Sequence, residues 1–286
     1  MSELALIDRT VADSAPPIRL PTQDELPCED GIPMETERHF LQMGLLLETV
    51  QPWLAQRGSG YAGGDMFLYF SPAQIRGEYF CGPDVFVALD VPRGERKSWV
   101  VWQEGKGPDV VIELLSESTG NYDKTVKKRI YHDQVHVPEY YWYDPFDPDD
   151  WAGFRSDGVD YQPLPRDVLG RMFSPQLQLF LLRWHGVYRG VETVWLRWAT
   201  LDGELLLTGF EHADRERQIA DQAQQRADQV QQWAEQAQER AQQQTLRAQQ
   251  QTLRAQQAEE MLLTAQQRIA ELEARLAMSG QNSTPS

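Results

Sequence analysis

The residues of this chain best suited to chemistry are two carboxylates and a lysine: Asp84, Glu113 and Lys127. Glu113 interrupts the apolar run Val110–Leu115, and a short apolar run of this kind is typical of a strand buried on both faces. An ionised carboxylate there costs several kcal/mol unless a cation or another partner meets it. Taken alone, Glu113 has two interpretations: a functional carboxylate, or a strand-end Glu that pairs with an Arg or reaches solvent.

Asp84 is the predicted partner of Glu113. It precedes the predicted strand Val85–Leu89 and follows Pro83, a residue tolerated where a strand begins, so its carboxylate should project at the mouth of that strand. A second Pro-Asp pair ends at Asp109. Asp109 and Glu113 lie on one strand, however, about 13 Å apart at a rise of ~3.3 Å per residue. We therefore expect Asp84, and not Asp109, to share an ion with Glu113.

A predicted helix over residues 122–135 carries the cation. Asp123, Lys127 and Tyr131 recur at four-residue steps and therefore lie close to one face of that helix. Carboxylate oxygens from two strands suit Mg²⁺, which prefers hard oxygen ligands and keeps several waters. A metal-bound water and a nearby ammonium group are what phosphodiester hydrolysis requires.

The elements that position these residues belong to a globular part predicted over residues 35–210. Apolar residues at three- and four-residue steps predict a first helix of about twenty residues that stops at Gly58. The strand–helix–strand unit Val110–Tyr143 predicts a right-handed crossover between parallel strands, and the whole order predicts an α/β fold with a mixed sheet. The predicted strands are around residues 61–70, Val85–Leu89, Trp99–Trp102, Val110–Leu115 and Glu139–Tyr143, with shorter pieces around Trp151–Arg155, Val187–Tyr188 and Leu205–Leu207.

The rest of the chain differs in composition. Residues 1–34 are rich in Pro and acids and are predicted to form a flexible arm, and residues 279–286 a polar tail. Residues 211–278 are predicted to form a long helix in which apolar residues recur every seven positions from Ala220 to Leu276. This repeat is typical of a left-handed coiled coil. The seam is mostly Ala, so each residue buries little apolar surface, and a solitary long helix of high propensity is the alternative. We favour a homodimer through residues 220–276.

Composition sets further limits. The formal net charge of −16 argues against loose electrostatic binding to nucleic acid and suits a divalent cation. The two cysteines have no framework spacing, so a reducing cytoplasm is the expected location. No segment approaches the roughly 20 apolar residues of a membrane span, so we expect no membrane partner.

The globular part contains four ordered motifs: Gly82–Val85, Val111–Thr119, the set Asp123, Lys127 and Tyr131, and Val137–Pro145. These motifs resemble the Uma family of restriction endonucleases, a cyanobacterial family of the PD-(D/E)XK nuclease-like superfamily. The resemblance covers roughly residues 35–200. It implies a restriction-endonuclease-like core with a mixed central sheet flanked by helices, dependence on Mg²⁺ (with Mn²⁺ as a substitute) and cleavage of DNA phosphodiester bonds.

Carried over by position, Asp84 and Glu113 are the implied metal-binding carboxylates, and the backbone carbonyl of Leu115 is a further implied ligand. The superfamily places its lysine two residues after the second acid, where this chain has Leu115. Lys127 holds the position of the helix lysine in the Uma-type pattern, which implies that it is the catalytic lysine.

The neighbouring residues of the helix keep two interpretations each. Asp123 either orients Lys127 or the attacking water, or is an ordinary salt-bridge partner, and Tyr131 either supports the site or belongs to the core. Lys124, Lys128 and Arg129 form a dense basic cluster that either contacts a phosphate backbone or is a solvated helix face.

Two functions therefore follow from the sequence. The first is a Mg²⁺-dependent DNA endonuclease, dimeric through its tail. The second is a catalytically inactive protein of the same fold that associates with other proteins through the coiled coil. Leu115 and the acidic charge favour the second function, whereas the joint presence of Asp84, Glu113 and Lys127 favours the first.

Overall fold

The structure, a computed structural model, describes residues 19–28, 36–71 and 81–280, with side chains as far as residue 275. The chain divides into two units, Met1–His212 and Ala213–Ser286, which we describe separately. The domain boundaries expected from the sequence stay predictions. None of the helices formed by the described residues is long and apolar enough to cross a membrane.

A six-stranded mixed sheet forms the centre of the first unit. The described strands, in chain order, are β1 (Tyr61–Gly63), β2 (Leu68–Tyr69), β3 (Val85–Ala88), β4 (Trp99–Val100), β5 (Val110–Leu114), β6 (Glu139–Tyr143), β7 (Trp151–Ser156), β8 (Tyr161–Pro163), β9 (Met172–Ser174), β10 (Leu179–Tyr188) and β11 (Val191–Ala199). The central sheet has the order β1-β3-β5-β6-β7-β8. Strands β5 and β6 pair in parallel and the other neighbours are antiparallel. The predicted mixed sheet and the parallel pairing across Val110–Tyr143 are confirmed.

Strand β5 is buried along its whole length, and its two faces contact different layers. Ile112 belongs to one hydrophobic cluster that includes residues of the first helix, whereas Val111 belongs to another that includes Tyr131. Because side chains alternate along a strand, Glu113 shares the face of Val111. The strand therefore directs Glu113 towards helix 120–135.

The first helix spans Glu37–Arg57 and confirms the predicted helix of about twenty residues. Thr36 caps its N-terminus by accepting a hydrogen bond from the backbone N–H of His39. Gly58 ends it at φ 81°, in the left-handed region that glycine adopts without a steric penalty. Both ends of this helix are therefore fixed by local residues, which places His39 in its first turn.

Helix 120–135 is irregular. Gly120–Tyr122 and Lys128–Ile130 are α-helical, while Asp123–Lys127 and Tyr131–Val135 are π-helical. The wider π turns are rare in proteins and concentrate at functional sites. The helix predicted over residues 122–135 is confirmed, but its winding departs from the regular α-helix assumed from the four-residue spacing.

Several strand predictions need correction. The predicted strand Trp99–Trp102 is only Trp99–Val100, because Val101–Glu104 turns into a short helix that ends at Gly105. The region predicted around residues 61–70 consists of two strands, β1 and β2. Residues 205–207 do not form a strand, since Leu205 makes only an isolated bridge to Ala199.

The long hairpin of β10 and β11 was predicted only in part, because the sequence analysis placed a strand at Val187–Tyr188 alone. The two strands pair over nine residues on each side, from Phe180–Ala199 to Tyr188–Val191. Arg189 and Gly190 join them, with φ of 47° and 83°. A two-residue loop with both residues at positive φ matches the twist of an antiparallel hairpin. Polar residues along β10 hid this hairpin from the hydrophobic pattern.

The two ends of the chain are described only in part. Most of the predicted arm, residues 1–34, lies outside the described residues. Within residues 19–28, the carbonyl of Pro21 accepts a hydrogen bond from Trp102 Nε1 at 2.9 Å, and that of Pro27 accepts one from Tyr69 Oη at 2.7 Å. The C-terminal helix spans Gly209–Gly280, and residues 281–286 of the predicted polar tail lie outside the described part.

Candidate functional site

Glu113 is fully buried, and each of its carboxylate oxygens has a partner on helix 120–135. Oε1 accepts a hydrogen bond from Tyr131 Oη at 2.7 Å, and Oε2 accepts one from Lys127 Nζ at 2.9 Å. Glu113 is therefore paired with a cation, but that cation is Lys127 of the packed helix and not an Arg. Tyr131 is itself fully buried, so it serves the core and the site together.

Asp84 lies beside Glu113 because of the sheet register. Strands β3 and β5 are antiparallel, and Val85 lies opposite Ile112. Asp84, which precedes Val85, therefore lies next to Glu113, which follows Ile112. Asp84 Oδ2 accepts a hydrogen bond from the backbone N–H of Leu114 at 2.6 Å. This bond ties the half-buried Asp84 to β5 at the point where the β3 ladder ends.

Asp123 completes the group from the other side of the lysine. Its side chain is buried, and its Oδ1 lies 3.0 Å from Lys127 Nζ. That contact is an ion pair without hydrogen-bond geometry, so Oδ1 is a buried oxygen with no hydrogen-bond partner among the described residues. Lys127 therefore lies between Glu113 and Asp123, as the four-residue spacing predicted for Asp123 and Lys127.

The electrostatics of the group follow from three carboxyls around one ammonium. Burial raises the pKa of Glu113 to about 8, with further increases from the charges of Asp84 and Asp123 and opposing effects from Lys127 and Tyr131. Burial also raises the pKa of Asp84 to about 6, opposed by Lys127 and the Leu114 N–H. The surrounding carboxylates raise the pKa of Lys127 above its usual range despite its burial. The lysine therefore stays charged, and the excess of negative charge favours keeping a proton on one carboxyl.

His39 is a site residue that the sequence analysis missed. It is buried, its Nε2 lies 2.9 Å from the backbone carbonyl oxygen of Leu115, and its Nδ1 lies 2.8 Å from Thr36 Oγ1. Leu115 follows β5, so the first helix reaches the same strand end as helix 120–135. The contact joins residues 76 positions apart, and no local spacing signals it.

The basic cluster is divided between three environments. Lys124 Nζ forms an ion pair with Asp150, and Lys128 Nζ lies 3.4 Å from the centroid of the Phe154 ring. Arg129 is exposed. All three line one open groove on the outer side of helix 120–135.

Asp109, the aspartate of the second Pro-Asp pair, contacts residues outside the group formed by Asp84, Glu113 and Lys127. Its Oδ2 accepts hydrogen bonds from Lys106 Nζ and from the backbone N–H of Leu89, both at 2.6 Å. It therefore anchors the segments that flank β5 at the end opposite Glu113.

The donor set is small but suits a hard cation. Among the described residues, no group of three or more His, Cys, Asp and Glu side chains is placed to hold a metal ion. Mg²⁺ needs only one or two carboxylates because it keeps several of its waters. Asp84 and Glu113 supply two, and burial is the main cause that raises the pKa of each. The residues present therefore fit a divalent cation.

The fold is that of an α/β protein with a mixed central sheet and helices packed against it. Residues 30–185 match the family model described as "Uma2: Putative restriction endonuclease", which covers more than half of the chain. The chain belongs to this family.

A crystal structure of a "putative nuclease belonging to DUF820" from Anabaena variabilis is similar, with a TM-score of 0.38 and 18% identity. The match covers 55% of this chain and 90% of that one. No curated protein matches the chain.

Proposed function

We propose that this protein is a Mg²⁺-dependent endonuclease that hydrolyses DNA phosphodiester bonds at Asp84, Glu113 and Lys127. One observation carries the proposal: Lys127 Nζ lies 2.9 Å from Glu113 Oε2, at the strand end where Asp84 is bound to the Leu114 N–H. Three residues distant in the chain thus form one compact group of two carboxylates and an ammonium. Membership of the Uma2 family supports a nuclease and thereby DNA as the substrate.

Each residue has a role that its contacts support. Asp84 and Glu113 would hold the cation, and Mg²⁺, or Mn²⁺ in its place, would lower the pKa of a bound water and offset charge on the scissile phosphate. Lys127 would stabilise negative charge that develops on the phosphate. Asp123 contacts Lys127 and would keep its ammonium group charged and directed into the site.

Tyr131 would orient the carboxylate of Glu113. Its hydroxyl donates to Oε1 at 2.7 Å, which fixes the rotamer of Glu113. The other oxygen, Oε2, faces Lys127. A carboxylate held in one orientation needs no reorganisation when substrate and cation bind.

The backbone carbonyl of Leu115 remains a proposed further ligand. Carbonyl oxygens have two lone pairs, so the bond with His39 Nε2 leaves one available. His39 would then position this carbonyl by holding the chain that follows β5. The basic residues Lys124, Lys128 and Arg129 are the proposed contacts for the DNA backbone, with Arg129 the most accessible of the three.

The remaining proposals concern assembly and location. The C-terminal helix would pair with that of a second copy, and a homodimer would suit the cutting of both strands of a duplex. The described cysteines, Cys28 and Cys81, are free thiols, in keeping with the reducing cytoplasm proposed from the sequence.

A catalytically inactive scaffold is the second candidate. Specific observations favour it: the net charge is −16, and the strand position two residues after Glu113 is occupied by the buried Leu115 instead of a lysine. Such a protein would use its fold and its C-terminal helix for protein association alone.

Nicking of supercoiled plasmid in Mg²⁺ or Mn²⁺ separates the two functions. The endonuclease predicts that wild-type protein converts the plasmid and that Asp84→Ala and Glu113→Ala do not. Equal conversion by wild type and both variants would reveal a contaminating nuclease. No conversion by any of them, with intact folding by circular dichroism, would favour the scaffold.

A further inference from the structure

The C-terminal helix has an apolar seam with no partner among the described residues. Every residue from 215 to 275 is exposed, including seam residues such as Val230, Leu262, Ile269 and Leu272, which are 48–61% exposed. A solitary surface helix of this length would not need a seven-residue apolar repeat. The exposed seam therefore indicates a partner that the described part of the chain does not supply.

The residues beside the seam carry an ordered charge pattern. Positions immediately before the first apolar residue of each heptad (the g positions) are mostly arginine: Arg226, Arg240, Arg247, Arg254, Arg268 and Arg275. Positions after the second seam residue (the e positions) hold no basic residue. They are Gln224, Gln231, Gln238, Thr245, Thr252, Glu259, Gln266 and Glu273.

We infer that this helix pairs with a second copy of itself in a parallel, in-register coiled coil. In a parallel pair each g position faces the e position five residues later on the partner. Arg254 then meets Glu259 of the second copy, and Arg268 meets Glu273, each pair occurring twice by symmetry. Arg226, Arg240 and Arg247 meet neutral Gln or Thr, and Arg275 faces Gly280, so like charges do not oppose one another across this seam.

An antiparallel pair is disfavoured by the same residues. Antiparallel helices bring g positions opposite g positions, which places the arginine row of one copy against that of the other. Like charges at facing positions are destabilising, and they select against the wrong orientation. The charge pattern therefore acts on orientation more than on affinity.

The register is fixed by two features. Gln244 and Gln251 interrupt the alanine seam, and only in-register pairing lets each side-chain amide meet its own copy and hydrogen-bond with it. A slip of one heptad would also separate Arg254 and Arg268 from Glu259 and Glu273. It would leave two Arg–Glu pairs, formed by Arg247 and Arg275, in place of four. Arg268 already contacts Glu271 of its own helix at 2.9 Å, but an exposed intrahelical pair of this kind is weak and can be exchanged.

The inference deepens the homodimer proposed above and is independent of nuclease activity. Because the chain enters the helix at Gly209, parallel pairing would join both copies of the nuclease domain to the same end of the coiled coil. Two such domains at one end would suit an enzyme that cuts both strands of a duplex at one place.

Cysteine cross-linking of the full-length protein tests the orientation. In a Cys28→Ser background, Ala265→Cys places a thiol in the seam, and Ala270→Cys places the matched thiol on the outer face. Burial raises the pKa of the remaining Cys81 to about 12, so its thiol is unreactive. Oxidation should convert Ala265→Cys to a dimer of twice 32.9 kDa and leave Ala270→Cys monomeric.

The outcomes separate the inference from its rivals. A dimeric mass by light scattering without cross-linking at residue 265, or equal cross-linking at 265 and 270, would overturn parallel in-register pairing. A monomeric mass would overturn pairing altogether, whatever the nuclease activity.

Charge reversal supplies a second test. The double variants Arg254→Glu/Arg268→Glu and Glu259→Arg/Glu273→Arg should each dimerise roughly tenfold more weakly than wild type, while their equimolar mixture should pair. Unchanged dimerisation of each double variant alone would contradict the assigned pairs.

Discussion

Lys127 Nζ lies between two buried carboxylates, 2.9 Å from Glu113 Oε2 and 3.0 Å from Asp123 Oδ1. The lysine comes from helix 120–135 and Glu113 from the strand beneath it. A helix lysine with a long stem thus reaches the strand end where the position two residues after Glu113 holds Leu115 instead of a lysine. This geometry supports the role proposed for Lys127.

Removal of this ammonium should abolish most of the activity. Lys127→Met should slow plasmid nicking in Mg²⁺ by about 10²- to 10³-fold, because a charge preorganised at the phosphate is lost. Lys97→Met is the matched control, since Lys97 pairs with the exposed Asp24 at the surface. Equal nicking rates for Lys127→Met and Lys97→Met would show that the lysine is not catalytic.

The stability of the metal-free protein should depend on the protonation of Glu113. The pKa of Glu113 is raised from an ordinary value of 4.5 to about 8 in the folded protein. The folded state thus binds this proton more tightly than the unfolded state. The stabilisation of the folded state by this bound proton is complete below pH 4.5 and is lost as the pH rises through about 8.

Glu113→Gln has no carboxyl group that titrates at this position. In EDTA, its free energy of unfolding should therefore fall less than that of wild type between pH 5 and pH 9. The expected difference is on the order of a few kcal/mol. Urea unfolding at a series of pH values measures it, with the exposed Glu117→Gln as control. Parallel curves for wild type and Glu113→Gln would contradict the raised pKa.

His39 should stabilise the strand end next to the site. His39→Ala leaves the Leu115 carbonyl without its donor, which should cost about 1–3 kcal/mol of unfolding free energy in urea. Its neighbour Phe40 is 53% exposed, so Phe40→Ala is a control for changes in the first helical turn. A loss no larger than that of the control would mean that the His39 contact contributes nothing.

DNA binding should depend on salt through the exposed arginine of the basic cluster. With Ca²⁺ in place of Mg²⁺, Arg129→Ala should reduce the slope of log affinity against log salt by about 1, because one phosphate contact is lost. Arg57→Ala removes an exposed arginine of the first helix, which stacks on Trp53, and should leave the slope unchanged. The same slope in wild type and Arg129→Ala would exclude Arg129 from the interface.

The parts of the fold that follow from local patterns were predictable. The first helix has a continuous apolar periodicity and local caps at Thr36 and Gly58. The parallel pairing of β5 and β6 follows from the crossover that joins them. Asp84, Glu113 and Lys127 were predicted to gather, and the structure brings them to one strand end.

Other parts depend on contacts that no local pattern encodes. The hairpin of β10 and β11 was hidden because polar side chains interrupt its alternation, although the pair Arg189-Gly190 is a turn signal. His39 meets Leu115 only after the first helix has packed on the sheet. The π turns of helix 120–135 contain the buried residues Asp123 and Tyr131, and the four-residue spacing of the sequence does not reveal this winding.

The most direct test of the central claim is a count of bound Mn²⁺ by electron paramagnetic resonance. Asp84 and Glu113 should together hold one ion per chain. We predict about one Mn²⁺ bound to wild type and to the control Asp202→Asn, and none to Asp84→Asn/Glu113→Gln. Absence of bound Mn²⁺ in wild type, or equal binding by the double variant, would contradict the proposed cation site.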